Sequence, residues 1–271
     1  MGAKGKFLKI SLKKIFLWHI YNSIPAKERR SIVIIFTPRG GAGEIGASCG
    51  SMQFDGEANQ LVFDCGIRPR EFNSDFSILK NSAENEISDT LLCAPPTFES
   101  LPDLNSIQNA RWLAPTHGHV DHVGAVPLLC RLNPEMIVYA TAPTKEFCKF
   151  HWYETVKFSV KRRADNSFSF ADADFALSRI QTIVPTTANE FSPVKLNDKI
   201  SLIPVRAGHV LGAVSYFIVY DNRIIGFYTG DICHHDQRTV AGAPKISIDG
   251  LKFVITESTY ANETRANHQE T

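Results

Sequence analysis

Three histidines and one aspartate fall within six consecutive positions, His117 to His122, in the stretch THGHVDHVGAVPLL. Imidazole and carboxylate are natural ligands for zinc and similar divalent ions, and both stand in their binding form near neutral pH. His117 and His119, two apart on a turn after the strand-like ARWLAP, can converge on one ion. Asp121 and His122, at the start of the next helix, can face a second. Gly118 and Gly124 permit the tight turns and close approach such a run needs. Four donors do not complete two sites. A chain with this motif must therefore fold so that other ligands arrive from distant segments.

Three candidates share one placement, at the end of an extended run and beside a glycine. His209 lies in VRAGHVLGA between Gly208 and Gly212, Asp231 follows Gly230 in IIGFYTGDICHHD, and Asp64 sits in LVFDCG. The runs that carry them read as strands by their β-branched content and glycine punctuation. SIVIIFTPRGGAGEIGASC and SMQFDGEANQLVFDCG open a sheet, with a turn at Gly56 and Asn59. EMIVYATAP, KISLIPVRAGH, AVSYFIVYDNRIIGFYTGD with Asp221-Asn222 as its turn, and LKFVITEST continue it. A helix is predicted from about Thr144 to Arg163, and a short one near Leu104 to Ala110 ends the weakly patterned stretch 69–110, where Pro95 and Pro96 exclude regular helix. Strands and helices alternate in an α/β manner, and the polar residues singled out lie just past strand ends.

With 44% hydrophobic and 21% charged residues in 271, the chain has ordinary globular composition and enough length for one large core. Its net charge of +1 hides an asymmetry: residues 1–30 carry eight lysines and arginines against the single acid Glu28, which leaves the remainder at about −6. Bulk charge therefore gives no argument for a nucleic-acid partner. The basic extension reads as a loosely docked segment ahead of the domain or as a helix facing a membrane surface or RNA, and it is too short and too polar to span a bilayer. Cys49, Cys65, Cys93, Cys130, Cys148 and Cys233 form no C-x-x-C pair and no signal peptide precedes them, so they are expected to be reduced thiols of a cytoplasmic protein. Cys233 is read as a loop residue, not a ligand. His151 and Trp152 are read as helix packing, and the trio Lys161 to Arg163 as a solvated helix end.

The motifs VFDCG, THGHVDH, AGHVLGA and YTGD, in that order across about residues 31–260, resemble those of metallo-β-lactamase-fold hydrolases. The resemblance implies an α/β four-layer αβ/βα sandwich with two metals at one edge, incomplete here at the C-terminus. It assigns His117, His119 and His209 to the first metal, Asp121 and His122 to the second, and Asp231 to both. Asp64 would orient the ligands without binding, as metal histidines require.

That fold hosts hydrolases of many substrates. VITESTYANETR resembles the first motif of the β-CASP subgroup, an acid followed by STYGNR or a near variant, with Ala261 in place of the usual glycine, and GGAGEIG resembles the opening loop of its RNA-processing branch. The subgroup includes ribonuclease J and the polyadenylation endonuclease, and the resemblance implies an RNA partner, a homodimer or RNA-processing complex, and catalytic roles for Asp121, Asp231 and Glu257. Two zinc ions would activate a water and neutralise a phosphate oxygen for in-line attack, although manganese accepts the same ligands. The subgroup's later histidines are expected beyond residue 271, since His268 follows Glu257 too soon and His234 and His235 follow Asp231 too closely. Residues 261–271 then read as the start of a β-CASP region, and the chain as an N-terminal fragment of a longer enzyme. A hydrolase of a small ester or thioester, similar to glyoxalase II, and a non-catalytic binding subunit remain the alternatives.

Overall fold

The computed structural model describes residues 33–68, 101–162, 167–187, 192–246 and 251–259. The predicted basic extension, the segment around Pro95 and Pro96, Arg163 of the charged trio and the tail 261–271 lie outside the described residues.

Two mixed sheets face each other. The first contains β1 (Ile34–Gly40), β2 (Cys49–Phe54), β3 (Leu61–Phe63), β4 (Trp112–Ala114), β5 (Ile137–Thr141) and β6 (Ile180–Ile183), in that spatial order. Its first three strands pair antiparallel and the rest parallel. The second runs β7 (Val194–Lys195), β8 (Ile200–Arg206), β9 (Val214–Tyr220) and β10 (Arg223–Tyr228) antiparallel, and β11 (Phe253–Ile255) joins β10 in parallel. Asp221 and Asn222 form the β9–β10 turn, both with positive φ, as the primed turns of tight hairpins require.

Side-chain alternation sorts the core into layers. Trp112 and Ala114 of β4 point between the sheets, where they meet Tyr216, Ile218 and Tyr228, whereas Leu113 points to the helices. Along β9, Val214, Tyr216, Ile218 and Tyr220 face the inter-sheet core, and Phe217 and Val219 face the opposite side with Ile246 and Leu251 against them. Among the described residues, four helices cover the outer face of the first sheet: α1 (Val120–Val123), α2 (Val126–Leu132), α3 (Ala142–Arg162) and α4 (Phe170–Arg179). The result is an α/β sandwich.

The predicted helix near Leu104 to Ala110 is corrected to successive turns, closed by Ile107 N–H on Leu104 O and Ala110 N–H on Ile107 O. Leu104, Ile107 and Ala110 are buried at each turn, and their spacing of three mimics a helical stripe without the longer bonds of an α-helix. The helix α4 was not anticipated, although its start has a readable signature: Ser169 and Asp172 form a capping box. Trp152 packs as expected, fully buried against the helical core, with its indole N–H on Val123 O at 2.9 Å. This bond ties α3 to the segment that carries Asp121 and His122. Trp152→Ala is expected to lower the unfolding free energy by about 3–5 kcal/mol in denaturant titration, whereas the exposed neighbour substitution Lys149→Ala should change it by less than about 0.5 kcal/mol.

Candidate metal centre

Every candidate residue hangs from a strand end on one edge of the sandwich. Asp64 follows β3, the run from Thr116 to His122 follows β4, His209 follows β8, Asp231 follows β10 and Glu257 follows β11. Asp64 and His209 hold positive φ, a conformation that costs a non-glycine residue energy and that surrounding contacts must impose. Backbone bonds lace the segments together: Cys65 N–H on His122 O at 2.7 Å, Ser48 N–H on Asp121 O at 2.8 Å, and Val214 N–H on Thr116 O at 2.8 Å. Gly66 makes this lacing possible, because a Cβ there would lie 1.6 Å from Asp121 O.

Asp64 is the hub. Its fully buried carboxylate accepts from Thr116 N–H at 2.7 Å, from the Thr116 hydroxyl at 3.0 Å and from the Tyr228 hydroxyl at 3.3 Å, and lies 3.0 Å from His122 Nδ1. A buried carboxylate is tolerable only when its lone pairs are filled in this way. Thr116, having given its proton to Asp64, can accept from His117 Nδ1 at 3.0 Å. That bond leaves the His117 Nε2 lone pair facing outward, toward His119 and His209.

His117, His119, His209 and Asp231 bring one ligand atom each within 4.8 Å of one another. His119 Nδ1 lies 3.0 Å from His117 Nε2 and 3.2 Å from His209 Nε2. Ligands about 2.0–2.1 Å from a tetrahedral zinc would be about 3.3 Å apart, so the three nitrogens already sit at the spacing a cation needs. Burial, reinforced by the neighbouring imidazoles, pushes the His117 pKa well below the ordinary histidine value, and burial likewise lowers His119. Both are therefore neutral, with lone pairs available. A single shared ring proton cannot satisfy three converging nitrogens, whereas a cation can; the donor set fits a divalent metal.

Asp231 divides its carboxylate. Oδ1 lies 3.3 Å from His122 Nε2, while Oδ2 lies 3.5 Å from His209 Nε2 and 3.9 Å from His117 Nε2. Asp121 Oδ2 stands 3.8 Å from His122 Nε2. Burial works against the charged form of His122, but Asp64, Asp231 and Asp121 outweigh it and raise its pKa well above the usual value. Burial also opposes ionisation of Asp231, yet His122 and the other imidazoles hold its pKa below the ordinary carboxylate value. Glu257 reaches the same loop from the side: its Oε1 accepts Ile232 N–H at 3.0 Å, directly after Asp231. A cleft of about 610 Å³ opens over these groups, walled by the glycine-rich loop Gly41–Gly46 on one side and by Glu257, Ser258 and Thr259 on another.

The sequence singled out all eight of these acids and histidines, and the structure brings them to one edge. It missed Thr116 and Tyr228, whose partners on Asp64 are 52 and 164 positions away; their adjacency to the motifs THGHVDH and YTGD was the available signal. Cys233 donates weakly to His235 O, and His235 is exposed, so neither enters the cluster. His151 is half-buried at the cluster's flank, where burial, then the nearby His119, lowers its pKa.

Residues 103–254 match the family described as the metallo-beta-lactamase superfamily domain. The chain is 29% identical over 232 residues to cleavage and polyadenylation specificity factor subunit 3 of Dictyostelium discoideum, covering 84% of this chain and 26% of that protein. It is 30% identical over 242 residues to endoribonuclease ysh1 of Schizosaccharomyces pombe, covering 88% and 27%. It is 28% identical over 244 residues to an Integrator complex subunit 11 homolog of Dictyostelium discoideum, covering 86% and 28%. The chain thus spans about a quarter of the length of these relatives.

Asp64→Asn keeps the hub's volume but removes the charge that fixes Thr116 and His122. It is expected to weaken divalent-metal binding by about 10- to 100-fold in calorimetric titration, while His234→Ala in the neighbouring loop leaves the affinity unchanged.

Proposed function

The chain belongs to the metallo-β-lactamase superfamily, and from that premise we propose that it is the metal-holding part of a β-CASP-type ribonuclease that hydrolyses RNA phosphodiester bonds. The observation that carries the reading is the split carboxylate of Asp231, whose two oxygens face different imidazole groups. Such a division would suit a ligand that two cations share. In this reading His117, His119 and His209 would hold one zinc, Asp121 and His122 a second, and Asp231 would serve both. Bound there, the two ions supply Lewis acidity toward a phosphate oxygen and a water acidic enough to react near neutral pH.

The chain's own groups do the rest. Asp64 and Thr116 would fix the tautomers of His122 and His117, so that Nε2 of His122 faces the cleft and Nε2 of His117 faces His119. Asp121, at the edge of the cleft, stands where it can orient the attacking water. Glu257 holds the Asp231 loop through Ile232 N–H and so keeps the shared carboxylate in register. The relatives bearing the names endoribonuclease and polyadenylation factor support RNA as the substrate, and the open cleft suits a single strand.

The reading extends to partners and place. Residues 31–260 form the metallo-β-lactamase-like domain, 1–30 a basic extension and 261–271 the entry to a β-CASP region. A homodimer or an RNA-processing complex completes the assembly, as the name Integrator complex subunit suggests for one relative. Among the described residues no helix is long and apolar enough to cross a membrane. Cys49, Cys65, Cys130, Cys148 and Cys233 are free thiols, in keeping with a cytoplasmic setting.

With zinc and a labelled single-stranded RNA, a protein that carries this chain together with the later β-CASP histidines is expected to cleave RNA, and residues 1–271 by themselves only weakly or not at all. Asp231→Ala should reduce that activity below detection, and Glu257→Ala should reduce it about 10- to 100-fold with zinc content unchanged. Turnover of a model thioester without RNA cleavage would overturn the nuclease reading while leaving the metal centre in place.

A further inference from the structure

Helix α3 carries an aromatic face beside the metal centre that the catalytic reading does not use. Its buried side, Thr144, Cys148, Trp152, Val156 and Ser159, enters the core. Along the rim of that side run Phe147, Phe150 and His151, spaced three and four apart and hence neighbours on one helical face. Phe147 is 37% exposed and Phe150 60% exposed, although fully apolar rings of this size are normally withdrawn from water. The His151 ring lies edge-on to Phe150, with centroids 5.4 Å apart, and nearly parallel to Phe147, one helical turn away.

Two observations connect this face to the site. Gly118, between the ligand candidates His117 and His119, has Phe147 Cβ only 2.4 Å from where its own Cβ would stand. The aromatic face therefore begins one residue from the metal cluster, outside the lining of the cleft that the glycine-rich loop walls. His151 Nδ1, in turn, is a buried nitrogen with no hydrogen-bond partner among the described residues. No hydrogen bond from Nδ1 holds the ring in place, and the half-buried imidazole can turn to bring a nitrogen to the rim, where a ligand offering a polar edge as well as a flat face would meet it.

We propose that Phe147, Phe150 and His151 form a nucleobase-stacking platform that receives a base of single-stranded RNA next to the scissile phosphate. The inference rests on the nuclease reading and deepens it by naming where the strand leaves the cleft. A flat aromatic base buries the exposed faces of Phe147 and Phe150, and its hydrogen-bonding edge or the ribose hydroxyl meets His151. Stacking is tolerant of sequence because every base has a π face. Of the acids that flank this face, Glu154 is paired with Lys157 at 2.6 Å, while exposed Glu146, four residues before Phe150, has the exposed Lys149 three residues after it on the same helix. Phe147 also packs on Gly118, which makes Phe150 the residue to alter without touching the metal ligands.

The test is fluorescence anisotropy with a labelled 2′-O-methyl oligouridylate of about twelve nucleotides, enough to span a site of the size usual for single-strand binders, on the zinc-loaded full chain. Phe150→Ala is expected to weaken binding by about tenfold, and Phe150→Trp to restore it, with melting temperature and zinc content unchanged in both. A matched oligonucleotide of abasic residues should bind the wild type as weakly as Phe150→Ala binds the normal one, and should lose nothing further on that substitution. Equal affinity of wild type and Phe150→Ala for the normal oligonucleotide would overturn the platform but leave the nuclease reading intact. Failure of the wild type to bind either oligonucleotide would overturn both.

Discussion

The buried carboxylate of Asp64 is the constraint on which the site depends. A negative charge with no solvent exposure must be surrounded by donors, and here they come from two separate segments: the backbone and hydroxyl of Thr116 and the imidazole of His122 from one, and the phenol of Tyr228 from the other. Each bond that stabilises Asp64 also orients something else. Thr116 passes the constraint to His117, and His122 is left with its far nitrogen pointed at Asp231. Tyr228 stands two residues before Gly230 and so ties the Asp231 loop of the second sheet to the carboxylate of the first. Satisfying one buried charge thus ties together groups that lie up to 164 residues apart in the chain.

The sandwich makes that arrangement possible because strands of both sheets end along one edge. The parallel strands β3 and β4 deliver Asp64 and the histidine run side by side, and β10 and β11 deliver Asp231 and Glu257 in the same way. The inter-sheet core of Trp112, Tyr216, Tyr228 and Phe63 holds the two sets at a fixed separation. At the rim, Asp64 and His209 adopt left-handed backbone angles where the chain turns from strand to site.

Much of this was legible in the sequence, and for a physical reason. Metal ligands are chemically distinctive, and H-x-H-x-D-H leaves few other uses for its residues; the glycines beside Asp64, His209 and Asp231 marked the strand ends that would meet it. The hairpin at Asp221-Asn222 and the long helix α3 carried equally local signals. Thr116 and Tyr228 were not legible as partners of Asp64, because threonine and tyrosine are common strand residues and only the closed fold reveals what they face. The turns at Leu104 to Ala110 were misread as helix because a spacing of three satisfies both. His151 and Trp152, adjacent in sequence, were read together as packing. The fold separates them, with the tryptophan in the core and the histidine on the rim of the metal centre.

The central claim is that a buried carboxylate hub gathers imidazoles and one shared carboxylate into a nitrogen-and-oxygen metal centre. Zinc-edge X-ray absorption on the zinc-loaded chain tests it most directly. The account predicts a coordination shell of nitrogen and oxygen near 2.0–2.1 Å with the outer-shell scattering of several imidazole rings. A sulfur shell near 2.3 Å, or a spectrum without imidazole scattering, would place the ion elsewhere and contradict it.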